Sequence, residues 1–150
     1  MPALQQNLDA LKRIVDKCKK NNVNFILWTA PTSNKELMLY DFDKLKPYMK
    51  EIAKISPYWC FSGYNDISYN YWNFYDTTHF TPDIGIKIVH RMTGNPTENT
   101  PANFGRYITA ENADSAIEEL FTKPSYLDSP AITYGMGFPD EILIRDNMQV

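Results

Sequence analysis

The stretch that decides the fold is DKCKKNNVNFILWTAPTSN, residues 16–34. It opens in a lysine-rich helical pattern and breaks at Asn21-Asn22. It then becomes a short apolar run, Val23-Asn24-Phe25-Ile26-Leu27-Trp28-Thr29, that stops at Ala30-Pro31. Upstream, Leu4, Leu8, Leu11, Ile14, Val15 and Cys18 line one side of the pattern with lysines opposite, so residues 4–20 read as an amphipathic helix. An apolar run of this length, bounded by turn residues, suits a buried strand. Thr32-Ser33-Asn34 then forms a loop at the strand's C-terminal end. A helix feeding such a strand is the beginning of an α/β layer.

Downstream, Phe42, Leu45, Tyr48, Met49 and Ile52 predict a second helix over 41–55, with Pro47 as a defect within it. Tyr58-Trp59-Cys60-Phe61 reads as a second short strand closed by Ser62-Gly63. Residues 64–78 carry polar and aromatic side chains without a clean period and read as a long loop, a length usually tied to function. Thr81-Pro82-Asp83 is a helix start: Thr at the N-cap, Pro at the first helical position and an acid in the first turn. Ile84, Ile88, Val89 and Met92 supply its apolar stripe, and Gly94-Asn95-Pro96 ends it. A short helix follows over 110–121. The fold expected is α/β with a small parallel sheet, occupying residues 1–122, with 123–150 as an irregular tail, either partly disordered or docked on the domain, containing one strand-like island, Glu141-Ile142-Leu143-Ile144.

A chain of 150 residues with 43% apolar and 22% charged residues can bury one ordinary core. A net charge of −3 and the lack of an arginine cluster argue against a nucleic-acid partner. No apolar run reaches the roughly 20 residues of a membrane helix, and MPALQQNLDA resembles no signal peptide. Cys18 and Cys60 lack metal-site spacing and read as buried free thiols, with a disulfide as the alternative in an exported protein. Aromatics make up 14% of the chain and crowd between Tyr58 and Phe80. Their exposed faces could stack on a sugar; the plainer reading is that they pack the long loop onto the sheet.

Within that loop Asp76 and His79 stand three apart. A carboxylate that accepts from one imidazole nitrogen fixes the tautomer, and the other nitrogen is then free to take a proton from a nucleophile. The alternative is structural: Asp76 caps a turn and His79 packs under the following helix. A metal site built on Asp76, His79 and Asp83 needs another convergent ligand, so neither metal nor cofactor is expected. His90, near the end of its helix, suits the helix dipole and reads as structural.

Three blocks in order carry a resemblance: Phe25-Ile26-Leu27-Trp28-Thr29-Ala30-Pro31, Phe61-Ser62-Gly63-Tyr64-Asn65, and Tyr75-Asp76-Thr77-Thr78-His79-Phe80-Thr81-Pro82-Asp83-Ile84-Gly85. With Asn103-Phe104-Gly105 and Ile108-Thr109 behind them, they resemble the C-terminal half of a bacterial SGNH-hydrolase-like protein over roughly residues 4–120. The resemblance implies a flavodoxin-like three-layer sandwich and serine esterase or O-acyltransferase chemistry, with His79 as general base and Asp76 as its orienting acid. It also implies an acyl-ester or glycan substrate and a bacterial cell-envelope setting, where relatives often carry a membrane anchor. The departure is plain: the Gly-Asp-Ser block that bears the nucleophile is absent from these 150 residues, and so are the oxyanion-hole blocks. Ser62 matches a position that is not the nucleophile, and Ser33 lies outside that context. The chain alone is therefore expected to be inactive, being a fragment, a remnant, or one partner of a second chain that completes sheet and site. The competing expectation is a non-catalytic binding or assembly module that docks a partner through its aromatic loop and exposed sheet edge.

Overall fold

A computed structural model of the chain describes residues 2–125, with side chains from residue 4 onward. The strand-like island Glu141–Ile144 and nearly all of the expected tail lie outside the described residues. Helix α1 (Pro2–Lys20) ends where Asn22 enters the left-handed region at φ 53°, with the Val23 amide returning to the Cys18 carbonyl at 2.9 Å. Asn tolerates that conformation well, which is why the asparagine pair terminates the helix. Strand β1 (Leu27–Thr29) is shorter than the apolar run predicts. Val23 and Ile26 are exposed, because the partner strand β2 (Tyr58–Cys60) offers pairing only from Leu27↔Tyr58 to Thr29↔Cys60.

Between these two parallel strands lie α2 (Asn34–Leu37) and α3 (Phe42–Ile55), the latter with Pro47 inside it. The segment read as a structureless loop holds a short helix α4 (Asp66–Tyr69) and a 3-10 turn (Tyr71–Asn73). Asn65 organises this region: its side chain accepts from the Ile67 and Ser68 amides, each at 3.0 Å, while Ser68 Oγ accepts from the Asn65 amide. This reciprocal cap satisfies buried donors at the helix start. Helix α5 (Pro82–Met92) begins at the proline, with Thr81 extended ahead of it but making no side-chain cap. Strand β3 (Arg106–Ile108) and helix α6 (Ala113–Leu120) follow.

The sheet order is β1-β2-β3, and β3 runs antiparallel to β2. The expectation of a parallel sheet is thereby corrected to a small mixed one. A short edge strand half open to water, as β3 is, commonly takes the antiparallel direction beside parallel neighbours. The core divides along β2 by the alternation of its side chains. Tyr58 and Cys60 face a cluster built from Met49, Ala53, Ile108, Ala116 and Ile117, where α3 and α6 cover the sheet. Trp59 packs with the other cluster, Phe61, Ile67, Phe74, Ile84, Ile88 and Phe104, under α5 and the loop. Lys46–Glu118 and Lys50–Asp114 ion pairs at 2.8 and 2.7 Å bridge α3 to α6. The mixed helix-and-strand architecture fits the α/β class. No helix among the described residues is long and apolar enough to cross a membrane.

Candidate active site

Because β1 and β2 are parallel, the segments leaving their C-terminal ends emerge on the same side of the sheet, the usual place for ligands in α/β folds. After β1 come Pro31, Thr32 and Ser33; after β2 come Phe61, Ser62 and Gly63. Thr32 Oγ1 and Ser62 Oγ lie 3.0 Å apart in a hydroxyl pair. Gly63, at φ 122°, lets the chain turn against α6, where the Tyr64 amide donates to the Leu120 carbonyl at 2.8 Å. The Ser33 amide donates to the Thr77 carbonyl at 3.0 Å, which ties the Asp76–His79 loop to the end of β1.

That loop is closed like a hairpin. The Thr81 amide donates to the Asn73 carbonyl at 2.9 Å, Phe74 and Phe80 form an antiparallel bridge, and the Tyr75 amide donates to the His79 carbonyl at 2.7 Å. Phe74 is buried and anchors one side, while Tyr75 points to solvent. At the tip, Asp76 divides its two oxygens. Oδ1 accepts from the Thr78 and His79 amides, both at 2.8 Å, and from Thr78 Oγ1 at 3.2 Å. Oδ2 takes His79 Nδ1 at 2.6 Å. One carboxylate thus caps the turn and accepts from the imidazole at once, whereas His79 is exposed and does not pack under α5 as the structural reading expects.

The backbone amide of Thr78, followed by that of His79 and their side chains, holds the Asp76 carboxyl down to about 2. Asp76 is then an ionised, acceptor-only group near neutrality. Its partner atom Nδ1 must carry the proton, and Thr78 spends its own hydroxyl hydrogen on Oδ1. Both hydrogen bonds of the imidazole use Nδ1, which leaves Nε2 without a partner among the described residues. The His79 side chain is 76% exposed and that of Asp76 47%, so water reaches the pair freely.

The other candidates separate clearly. Ser33 is fully buried and caps α2, its Oγ accepting from the Glu36 amide at 3.4 Å. Ser62 is buried and engaged with Thr32. Among the described residues, neither serine bonds the His79 ring. Cys60 is a free, buried thiol whose burial pushes its pKa up to about 11, so it is protonated at neutral pH and makes no thiolate nucleophile. Cys18 is free and half-buried. His90 bonds the Asn95 carbonyl through Nδ1 at 2.9 Å and closes the end of α5. Among the described residues no group of three or more His, Cys, Asp and Glu side chains converges to hold a metal, so Asp83 does not join Asp76 and His79 in one. The aromatic segment divides: Tyr69, Tyr71 and Phe74 are buried in the core, whereas Trp72 and Tyr75 are exposed.

Sequence reasoning missed the Thr32–Ser62 hydroxyl pair and the Ser33–Thr77 tie, both of which join residues far apart in the chain. The Asn65 cap was open to detection, since Asn65 and Ser68 stand at capping-box spacing. No protein-family model, curated protein or solved structure matches this chain.

Proposed function

We propose that this chain supplies the base-and-acid part of an SGNH-like serine esterase or O-acyltransferase. The observation that carries the reading is the 2.6 Å contact from Asp76 Oδ2 to His79 Nδ1 with the opposite nitrogen left open. In that chemistry Nε2 takes the proton of a serine hydroxyl as its oxygen attacks an ester carbonyl, and Asp76 stabilises the imidazolium that forms. The same nitrogen then returns the proton to the departing alcohol. The serine comes from outside these 150 residues, on a preceding segment or a second chain. Its arrival covers a pair now open to water, and the exclusion of water strengthens the electrostatics on which acyl transfer depends. The substrate class is an acyl ester, with an acylated envelope glycan as the favoured form.

Strand β1 is bonded by β2 on one edge only, and among the described residues no strand occupies the other. Trp28, 40% exposed on that strand, and Ile26, 59% exposed just before it, leave apolar surface there. Serine-bearing strands would pair on this edge. The same edge favours the second reading, a non-catalytic module that assembles with another chain.

A fluorophosphonate probe separates the readings. The isolated chain should remain unlabelled. Joined to an in-frame Gly-Asp-Ser segment from the upstream DNA, or mixed with a co-purifying chain that bears one, it should label that serine in a His79-dependent manner. Labelling that persists unchanged in His79→Ala removes the base role, and assembly without any labelling selects the module reading. A labelled serine on the isolated chain would move the nucleophile onto these residues.

A further inference from the structure

At the foot of the Asp76–His79 hairpin, an open cleft of about 570 Å³ lies between the 3-10 turn, the first turns of α5 and the segment around residues 97–99. We infer that this cleft is a saccharide-binding site, with Trp72 as its stacking platform. Trp72 is 71% exposed, although Tyr71 and Phe74 beside it are buried. The core therefore does not need the indole. The turn that carries it is nevertheless held in place, since the Trp72 amide donates to Asn70 Oδ1 at 3.1 Å and Asn73 Nδ2 donates to the Ile67 carbonyl at 3.0 Å.

The rest of the lining selects the ligand chemistry. Asn73, Asp83, Glu98 and Asn99 offer amides and carboxylates around the indole. Lys87 is the cation there, and its Nζ donates to the Asn99 carbonyl at 3.0 Å. Two carboxylates against one engaged ammonium disfavour a phosphate or carboxylate ligand. Among the described residues the carboxylates do not gather into a metal site. A neutral molecule with one apolar face and many hydroxyls satisfies both halves of the lining: its C–H face lies on Trp72 while its hydroxyls donate to Asp83 and Glu98. The cleft volume lies within the roughly 300–1,000 Å³ of small-molecule sites.

The position links the cleft to the dyad. Asn73 and Thr81 form the base of the hairpin and line the cleft; Tyr75 and His79 pair two positions further along, about 7 Å at strand rise. As the seat of a substrate glycan the cleft rests on the ester chemistry proposed above; as a binding site it stands independently.

The test is titration of the whole 150-residue chain with tri-N-acetylchitotriose, cellotriose and maltotriose, followed by tryptophan emission and calorimetry. At least one should bind with a millimolar or tighter Kd. Trp72→Ala should weaken that binding about tenfold or more, Trp72→Phe should retain most of it, and Asp83→Asn should weaken it. Circular dichroism checks that each variant is folded, as the exposed positions lead one to expect. Failure of all three sugars to bind, or binding that Trp72→Ala leaves unchanged, overturns the site. Saccharide binding in a complex whose fluorophosphonate labelling ignores His79 keeps the cleft and removes the ester reading. His79-dependent labelling without saccharide binding does the reverse.

Discussion

At the scale of single residues, Asp76 carries more than its spacing from His79 suggests. Three donors on Oδ1 and the imidazole on Oδ2 favour the ionised carboxylate, which is why its pKa falls to about 2 from a usual 3.8. A carboxyl whose folded pKa lies below its unfolded value contributes stability above the unfolded pKa and loses it as pH falls toward the folded one. The Tm difference between the parent chain and Asp76→Asn should therefore be greatest at pH 5 and above. It should shrink between about pH 4 and pH 2, as first the unfolded and then the folded carboxyl takes up a proton, and be smallest below that window, where both chains carry a neutral group. An unchanged difference across that window would show that the Oδ1 bonds do not depend on charge. The exposure of the pair keeps the effect small. In a completed enzyme the same substitution should lower kcat by about 10²–10⁴, because it removes the charge that stabilises imidazolium while leaving Nε2 in place. The three-residue spacing was visible in the sequence; the division of work between two carboxylate oxygens was not, since it depends on how the tip of the hairpin curls.

At the scale of elements, helix starts and stops were the most legible features. Asn21-Asn22 ends α1 and Pro82 begins α5 where local chemistry places them, since caps and prolines act within a turn of themselves. Strands were less legible. β1 occupies only the end of its apolar run, and β3 has three residues, too few to show a period. Pro47 lies past the first turn of α3, where its ring removes a helical N–H and crowds the preceding carbonyl. It is exposed, and its loss should cost no core packing. Pro47→Ala should therefore stabilise the chain by about 1–3 kcal/mol in urea denaturation. A variant of equal or lower stability would mean that Pro47 helps α3 to meet α6, where Lys46–Glu118 and Lys50–Asp114 pair.

At the scale of the whole molecule, the site depends on a few backbone junctions between segments distant in the chain. Gly63 is one of them: at φ 122°, a Cβ there would stand 2.7 Å from the Leu120 carbonyl oxygen. Gly63→Ala should cost about 2–4 kcal/mol from backbone strain and the clash together. Gly94→Ala, also at positive φ but with nothing near its Cβ, should cost only about 1–2 kcal/mol. Comparable urea midpoints for the two would show that α6 yields to the added methyl. The sequence by itself determined where the long helices α1, α3 and α5 begin and end, that the fold mixes helices with a small sheet, and that an acid and a histidine lie at the head of α5. Those outcomes follow from periodicity, caps and turn chemistry acting over a few residues. Only the tertiary structure decided that β3 runs antiparallel, that Ser33 and Ser62 are engaged away from the imidazole, and that Trp72 stands out of the core above a polar cleft. Each of these is settled by which distant surfaces meet and which are left to water, and no local pattern of residues encodes that choice.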